Sequence, residues 1–523
     1  MMEMNLSPLD QLNRLWHFIP RYTKIQFCSA FIIGILVHLY LMASGMVNHD
    51  SVVVTEYYQW AHNSMGRWFA IVPNMITGSF NIMWLNALFA LVYVSIAACL
   101  IGACLEIRRT PLVLLLSGVI VSFPALAGWL SYRFYVPDTG MFPVLLSCLA
   151  IFLARRFKYG FLFGAIPLLF SLALYQAYIG FFAGVMVLIL IRDILTDQKI
   201  KTVIVRALKY LATLFIALIA YVISLNLPSY SYLAGYKDIR SFGGLTIQNL
   251  PERFIFSYKD FFDVFFRNSL KLHQDYWLSG QVYQYLFAIA VIAVLVLLIF
   301  IIINTKLYRD KVRLILLIIA IALLPPACNI IAVLSPDNLY ILMQYSLVLI
   351  FALVLIVIDI ASEKVKGSKA AHLSTWFLLV FCFVITINYA IYSNVFYLKM
   401  DLLNKHGQAF ATSLVTRIQS EDFYDLDTPI ILYGSAPHSF ALGYFEYMDA
   451  IPLEDFPNMY SLPAYLLIYQ DLKNPVYRSS KYFPEELRDN EAVMRIIADM
   501  PAYPLNGSIK LVEGFIIVKF SDQ

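Results

Sequence analysis

From residue 25 to residue 393, long apolar runs alternate with short polar segments. Runs of about 17–25 apolar residues predict membrane-spanning helices. Eleven are readable, at roughly 25–46, 81–104, 111–130, 139–154, 159–175, 177–191, 208–227, 284–304, 312–334, 340–360 and 371–393. The fourth and sixth are short, and the boundary between the fifth and sixth is blurred at Tyr175-Gln176-Ala177-Tyr178. Pro325-Pro326 predicts a kink in the ninth. Within the long polar interval 228–283, residues 254–267 place aromatics and charges at helical spacing, which predicts an amphipathic helix lying in the interface.

After residue 393 the pattern changes. A polar helix is expected over 397–420, a strand from Thr428 ending at a turn by Gly434, and a helix over 484–499. A closing hairpin is expected over 508–520, around Glu513-Gly514. The chain therefore divides into a polytopic α-helical membrane domain, 1–393, and a small C-terminal α/β domain, 394–523.

Composition sharpens this picture. Only 14% of the residues are charged, against about 25% in soluble domains, so the lipid bilayer is the first partner of the chain. A net charge of +4 spread over 523 residues does not suggest nucleic-acid binding. All six cysteines lie in apolar runs without metal-ligand spacing and read as small apolar fillers. The placement of Lys and Arg sets the orientation. Arg108, Arg109, Arg155, Arg156, Lys158 and Arg192 fall on one side, and the short loops of the other carry only Arg67 and Arg133. The N-terminus is then cytoplasmic and the C-terminal domain extracytoplasmic.

Polar residues converge on that outer side: His49, Asp50, Glu56 and Arg67 with Trp68 in the first loop, then Arg133 and Asp138, then Tyr175, Gln176 and Tyr178, and finally Asp337. Ionisable groups at a membrane face are costly and usually functional. The motifs Asn48-His49-Asp50, Gly66-Arg67-Trp68 and Ser171-Leu-Ala-Leu-Tyr175-Gln176-Ala177-Tyr178 resemble the bacterial serotype-converting, Gtr-type membrane glucosyltransferases, over roughly residues 25–230. The resemblance implies a GT-C architecture in the bacterial cytoplasmic membrane, with many spanning helices, here about eleven by the apolar runs, and a catalytic carboxylate in the first outer loop. It also implies a polyprenyl-phosphate-linked glucose donor, a surface glycan such as an O-antigen as acceptor, and a functional link to a donor synthase and a flippase.

The residues suit that chemistry. Displacing a polyprenyl phosphate needs a base for the acceptor hydroxyl and a cation for the departing phosphate. Asp50 is the expected base, with Glu56 as the second carboxylate; Arg67 and Arg133 are the expected phosphate ligands. His49, Trp68, Asp138, Tyr175, Gln176, Tyr178 and Asp337 are expected to contact substrate. A single carboxylate acting on an incoming hydroxyl implies inversion. No cofactor is expected, and no metal motif is present, although His49 and His62 flank the acids. Structural roles stay open beside these: Asp50 and Asp138 as helix caps, Arg67 as a residue reaching for headgroups, Gln176 and Tyr178 as interhelical hydrogen-bonding residues, and Asp337 in a turn. A transporter or flippase for a lipid-linked glycan is the alternative function.

Overall fold

The computed structural model describes residues 7–47, 49, 52, 66–70, 72–73, 75, 82–132, 137–225, 246, 248–267, 280–336, 339–435, 456–479 and 483–522. Their described residues form two compact units, one from 7–43, 66–130 and 137–394 and the other from 44–52, 131–132 and 395–522.

The first unit is helical. It runs α1 (Pro8–Phe18), α2 (Arg21–Ala43), α3 (Met83–Cys104), α4 (Thr110–Ser122), α5 (Pro124–Tyr132), α6 (Pro137–Arg156), α7 (Gly160–Phe163) and α8 (Ala165–Leu172). It continues with α9 (Ile179–Leu195), α10 (Ile200–Leu225), α11 (Leu250–Phe266), α12 (Gly280–Asn304), α13 (Lys311–Cys328), α14 (Ile330–Leu334), α15 (Leu349–Lys364) and, as far as Asn394, α16 (Lys369–Gln419). Among the described residues, nine helical segments are long and apolar enough to cross a membrane. All eleven apolar runs coincide with helix, but α6 and the short pair α7 and α8 are not among those nine. The run at 159–175 is two short helices, ending at Leu172.

Lipid supplies no hydrophobic drive between helices, so side-chain hydrogen bonds and close packing join them. Gln26 donates to the Ala98 carbonyl (2.7 Å), Ser29 to Ser117 (2.9 Å), and the His38 ring is hydrogen-bonded to the Val121 carbonyl (2.9 Å). Pro325 and Pro326 lie inside α13, which runs on to Cys328 and breaks at Asn329. Proline has no N–H for the carbonyl four residues back, and the carbonyl orphaned by Pro326, that of Ala322, accepts instead from the Tyr258 hydroxyl on α11. The predicted amphipathic helix is therefore α11. It turns Ser257, Phe261, Val264 and Phe265 inward and leaves Ile255 and Phe262 exposed.

A buried ion network ties one end of the helices together. Asp359 on α15 takes both Arg109 and Arg192, each at 3.1 Å. Asp193 on α9 meets Arg206 and Arg155, and Glu106 meets Arg155 (2.8 Å) and Arg192 (3.7 Å). Burial pushes the Glu106 carboxyl up, but the hydrogen bond and charge of Arg155, with Arg192 and Arg108, outweigh it and hold the group below the usual carboxylate range. A depressed carboxyl stabilises the fold above its unfolded value, and that contribution is lost as the pH falls through the folded one.

The second unit is a four-stranded sheet in the order β2 (Val476–Arg478), β1 (Ile430–Tyr433), β4 (Phe515–Lys519), β3 (Ile509–Val512), with only the β3–β4 pair antiparallel. Strand residues alternate between faces. Ile430, Leu432, Ile516 and Val518 pack with Leu414 and Ile418 of α16 and with α17 (Leu462–Tyr469). Ile431 and Ile517 pack on the opposite face, with Leu487, Val493 and Ile497. The predicted hairpin is present, its two-residue turn at Glu513 (φ 47°) and Gly514 (φ 78°) taking the left-handed conformations that suit strand twist. Two expectations change. The polar helix at 397–420 is the continuation of α16, an unbroken 51-residue helix. The helix at 484–499 is two, α18 (Glu485–Arg488) and α19 (Glu491–Asp499), because Asn490 caps α19 by accepting from the Ala492 and Val493 amides. Strand β2 and helix α17 carried no pattern that was assigned.

Removing one member of a buried ion pair strands the other charge, at a cost of about 3–5 kcal/mol. Asp359→Ala is expected to lower the thermal midpoint of the detergent-solubilised protein sharply, since two arginines lose their shared partner. An unchanged midpoint would show the network to be dispensable.

Candidate functional site

A chain break lies at the other end of α9, beside the last turn of α10. From Ile179 to Arg192 is 13 helical residues, or about 20 Å, so this region is well separated from the ion network. The chain leaves α8, passes through Tyr175 in extended conformation (φ −158°), makes a short 3-10 turn at Gln176–Tyr178 and enters α9. Broken backbone within an apolar bundle must be satisfied by protein. Ser147 donates to the Tyr178 carbonyl (3.1 Å), Ser171 to the Pro143 carbonyl (2.8 Å), and the Phe69 amide to the Ala173 carbonyl (3.2 Å).

That last bond docks the Gly66-Arg67-Trp68 motif, in which each residue has a separate task. Gly66 has φ +68°, and a Cβ there would stand 2.7 Å from the Tyr221 hydroxyl. The Tyr221 hydroxyl donates to the Gly66 carbonyl (3.3 Å) and accepts from Gln176 (2.6 Å). Trp68 donates its indole N–H to Ser224 (3.0 Å), and Phe69 stacks on Phe170 at 4.1 Å. Held from both sides, Arg67 lies with its guanidinium 4.6 Å from the centre of the Tyr175 ring. A guanidinium against an aromatic face gains attraction from the ring quadrupole while it is partly removed from water. Behind Tyr175 the aromatics continue to Trp129 (4.9 Å) and Tyr178 (5.2 Å), and the Tyr178 hydroxyl donates to the Leu342 carbonyl (3.0 Å).

Five residues singled out in the sequence are therefore brought together: Arg67, Trp68, Tyr175, Gln176 and Tyr178. Asp50, Glu56, Arg133 and Asp337 lie outside the described residues, and Asp138 is described only by its place in the first turn of α6. His49 belongs to the second unit, where its ring meets Tyr460 edge-on at 6.4 Å. The segment leading to it is clamped by Asn404, which accepts from the Val47 amide and donates to the Val47 carbonyl, both at 2.8 Å. The second unit also has an open groove along α16, lined by Gln408, Thr412, Thr416, Arg417, Ser420 and Tyr503. Among the described residues, no group of three His, Cys, Asp or Glu side chains is placed to hold a metal ion.

Tyr221 and Ser224 were missed in the sequence because they sit inside an apolar run. The signal was available, since a hydroxyl late in a membrane helix needs a partner and marks a helix contact.

Membrane-spanning helices that converge on a cation held against aromatic rings define a polytopic membrane protein with a polar site at one end of its bundle. The family model for Glucosyl transferase GtrII matches residues 39–351, more than half of the chain. The protein belongs to that family and is a membrane glucosyltransferase. No curated protein and no solved structure is significantly similar to the chain.

Gly66→Ala forces a side chain into left-handed backbone and against Tyr221, a strain of about 1–3 kcal/mol. The Phe69 amide, bonded to Ala173, is expected to exchange with deuterium roughly 5- to 150-fold faster, as local opening of that size implies. Unchanged exchange would mean that Gly66 does not hold the motif.

Proposed function

We propose that the protein transfers glucose from a polyprenyl-phosphate-linked donor to a cell-surface polysaccharide, such as an O-antigen, at the outer face of the bacterial cytoplasmic membrane. The observation that carries this reading is Arg67, presented on Tyr175 by the Gly66–Trp68 motif and the Gln176–Tyr221 pair. A planar guanidinium binds phosphate oxygens in pairs, and one already desolvated by a ring does so with little reorganisation. Family membership supports glucosyl transfer. The excess of Lys and Arg at the Arg192 end supports an outward-facing Tyr175 end.

In this mechanism Arg67, aided by Arg133, holds the donor phosphate and takes up the charge that develops as the glycosidic C–O bond breaks. Asp50 removes the proton from the acceptor hydroxyl, whose oxygen forms the new bond to the anomeric carbon. One carboxylate on the attacking side gives inversion. His49, Trp68, Asp138, Tyr175, Gln176, Tyr178 and Asp337 contact the substrates. The C-terminal unit takes the acceptor glycan: the groove along α16 offers hydroxyls, an amide, a guanidinium and one aromatic ring, the groups that recognise sugars. A donor synthase and a flippase supply the lipid-linked glucose.

Transfer of labelled glucose from polyprenyl-phosphate glucose to surface glycan tests this, in membranes with matched amounts of each protein. Asp50→Asn is expected to reduce transfer by about 10²–10⁴-fold, the size of a general-base contribution. Arg67→Lys is expected to raise the KM for donor, and Arg67→Ala to remove most activity. Full activity in Asp50→Asn would move the base to Glu56 or Asp138. A wild-type protein that carries the lipid-linked sugar across the bilayer without transferring it would establish the flippase alternative instead.

A further inference from the structure

The break at Asn329, between α13 and α14, creates a second polar site, against α11. Around it the freed backbone groups are met: Ser346 donates to the Cys328 carbonyl (2.6 Å), and Arg253 donates to the Val333 and Leu334 carbonyls (3.4 and 3.1 Å). At its centre stands Asn329, 0% exposed. Its amide donates to the Ser257 carbonyl (3.2 Å) and to Asp260 Oδ2 (2.7 Å). Gln344 donates to the same Oδ2, also at 2.7 Å. Both amides thus land on one carboxylate oxygen, and among the described residues no hydrogen bond reaches Oδ1. The Asn329 Oδ1 is likewise buried without a hydrogen-bond partner. The two amides fix the carboxylate and leave Oδ1, on a half-buried side chain, open to a ligand that donates.

This site adjoins the Arg67 site. Gln344 lies in the 3-10 segment Ile341–Val348, two residues beyond Leu342, whose carbonyl holds Tyr178. Tyr178 in turn packs on Tyr175, which carries Arg67. The chemistry of the two sites is opposite. Arg67 offers only donors and suits phosphate; Asp260 offers an acceptor and a negative charge, which repel phosphate and suit hydroxyls. Asp260 is half-buried and so within reach of a ligand.

We propose that Asp260, its carboxylate fixed by the Asn329 and Gln344 amides, forms a hydroxyl-recognising subsite in which Oδ1 accepts from a hydroxyl of a pyranose ring. The proposal rests on the glucosyl-transfer reading above and adds to it the residues that bind sugar rather than phosphate. The hydroxyls come either from the donor glucose or from a sugar of the acceptor glycan.

Asp260→Asn separates this role from a structural clamp. The new Oδ1 still accepts from both Asn329 and Gln344, while the new amide nitrogen turns the open acceptor into a donor. Binding to the purified full-length protein is measured with polyprenyl-phosphate glucose, with polyprenyl phosphate of the same chain length, and with a soluble glucose-containing oligosaccharide. One sugar-dependent affinity is expected to fall about tenfold or more in Asp260→Asn, with the affinity for bare polyprenyl phosphate and the thermal midpoint unchanged. A response to the lipid-linked sugar assigns the subsite to the donor, and a response to the oligosaccharide assigns it to the acceptor. Equal sugar affinities in both proteins, or none in the wild type, overturn the proposal. Carbodiimide labelling of Asp260 in the wild type, read by mass spectrometry, gives the same decision without a variant. Protection by a sugar probe supports the subsite, and labelling indifferent to both probes overturns it. Transfer is assayed in parallel: sugar binding through Asp260 with no transfer removes the transferase reading alone, and transfer indifferent to Asp260→Asn removes only the subsite.

Discussion

A carbonyl or amide that a broken helix leaves open has no water to turn to among apolar helices, and it must find a partner on another part of the chain. That requirement organises the first unit. Ala173, at the end of α8, gives its carbonyl to the Phe69 amide. The contact draws in the Gly66-Arg67-Trp68 segment, which would otherwise have little to fix it. Ala322, left open by Pro326, gives its carbonyl to Tyr258 and draws in α11. Each open carbonyl thereby recruits a segment that is not a spanning helix, and each recruited segment carries an ionisable side chain: Arg67 in one case, Asp260 in the other.

The two ends of the helices solve different electrostatic problems. At the Arg192 end, cations and carboxylates are paired with one another: Asp359 with two arginines, Asp193 with two, Glu106 with two. Such a closed network leaves little charge to bind anything else, and its role is to hold helix ends together. At the Tyr175 end, Arg67 lies against the Tyr175 ring, its guanidinium 4.6 Å from the ring centre.

Helix positions were legible because lipid demands continuous apolar runs and the chain supplies them. The strands at 430–433 and 509–519 were legible for a similar reason: β-branched residues flank a Glu-Gly turn that requires positive φ. The grouping of Arg67, Trp68, Tyr175, Gln176 and Tyr178 was legible as polar and aromatic residues at neighbouring loop positions. The partners that fix them were not. Tyr221, Ser224, Asn329 and Gln344 stand singly within apolar surroundings, and a single polar residue in a helix announces a contact without saying with what. The acids Glu106, Asp193 and Asp359 were hidden among the basic residues that set orientation, since a count of Lys and Arg takes no account of what pairs with them.

The sequence by itself determined that the chain lives in a membrane, where its apolar helices fall, that a small α/β unit follows them, and which family motifs it carries. These are properties of local composition and period, and they need no knowledge of neighbours. Only the tertiary structure decided that Asp260 belongs with Asn329 and Gln344, that Gly66 must be glycine because Tyr221 lies against it, and that the basic end is an ion network. The physical reason is that hydrogen bonds and ion pairs act over about 3 Å between residues 69 to 167 positions apart in the chain, as for Asn329 with Asp260 and Arg192 with Asp359. Nothing in the local pattern encodes which distant groups will meet.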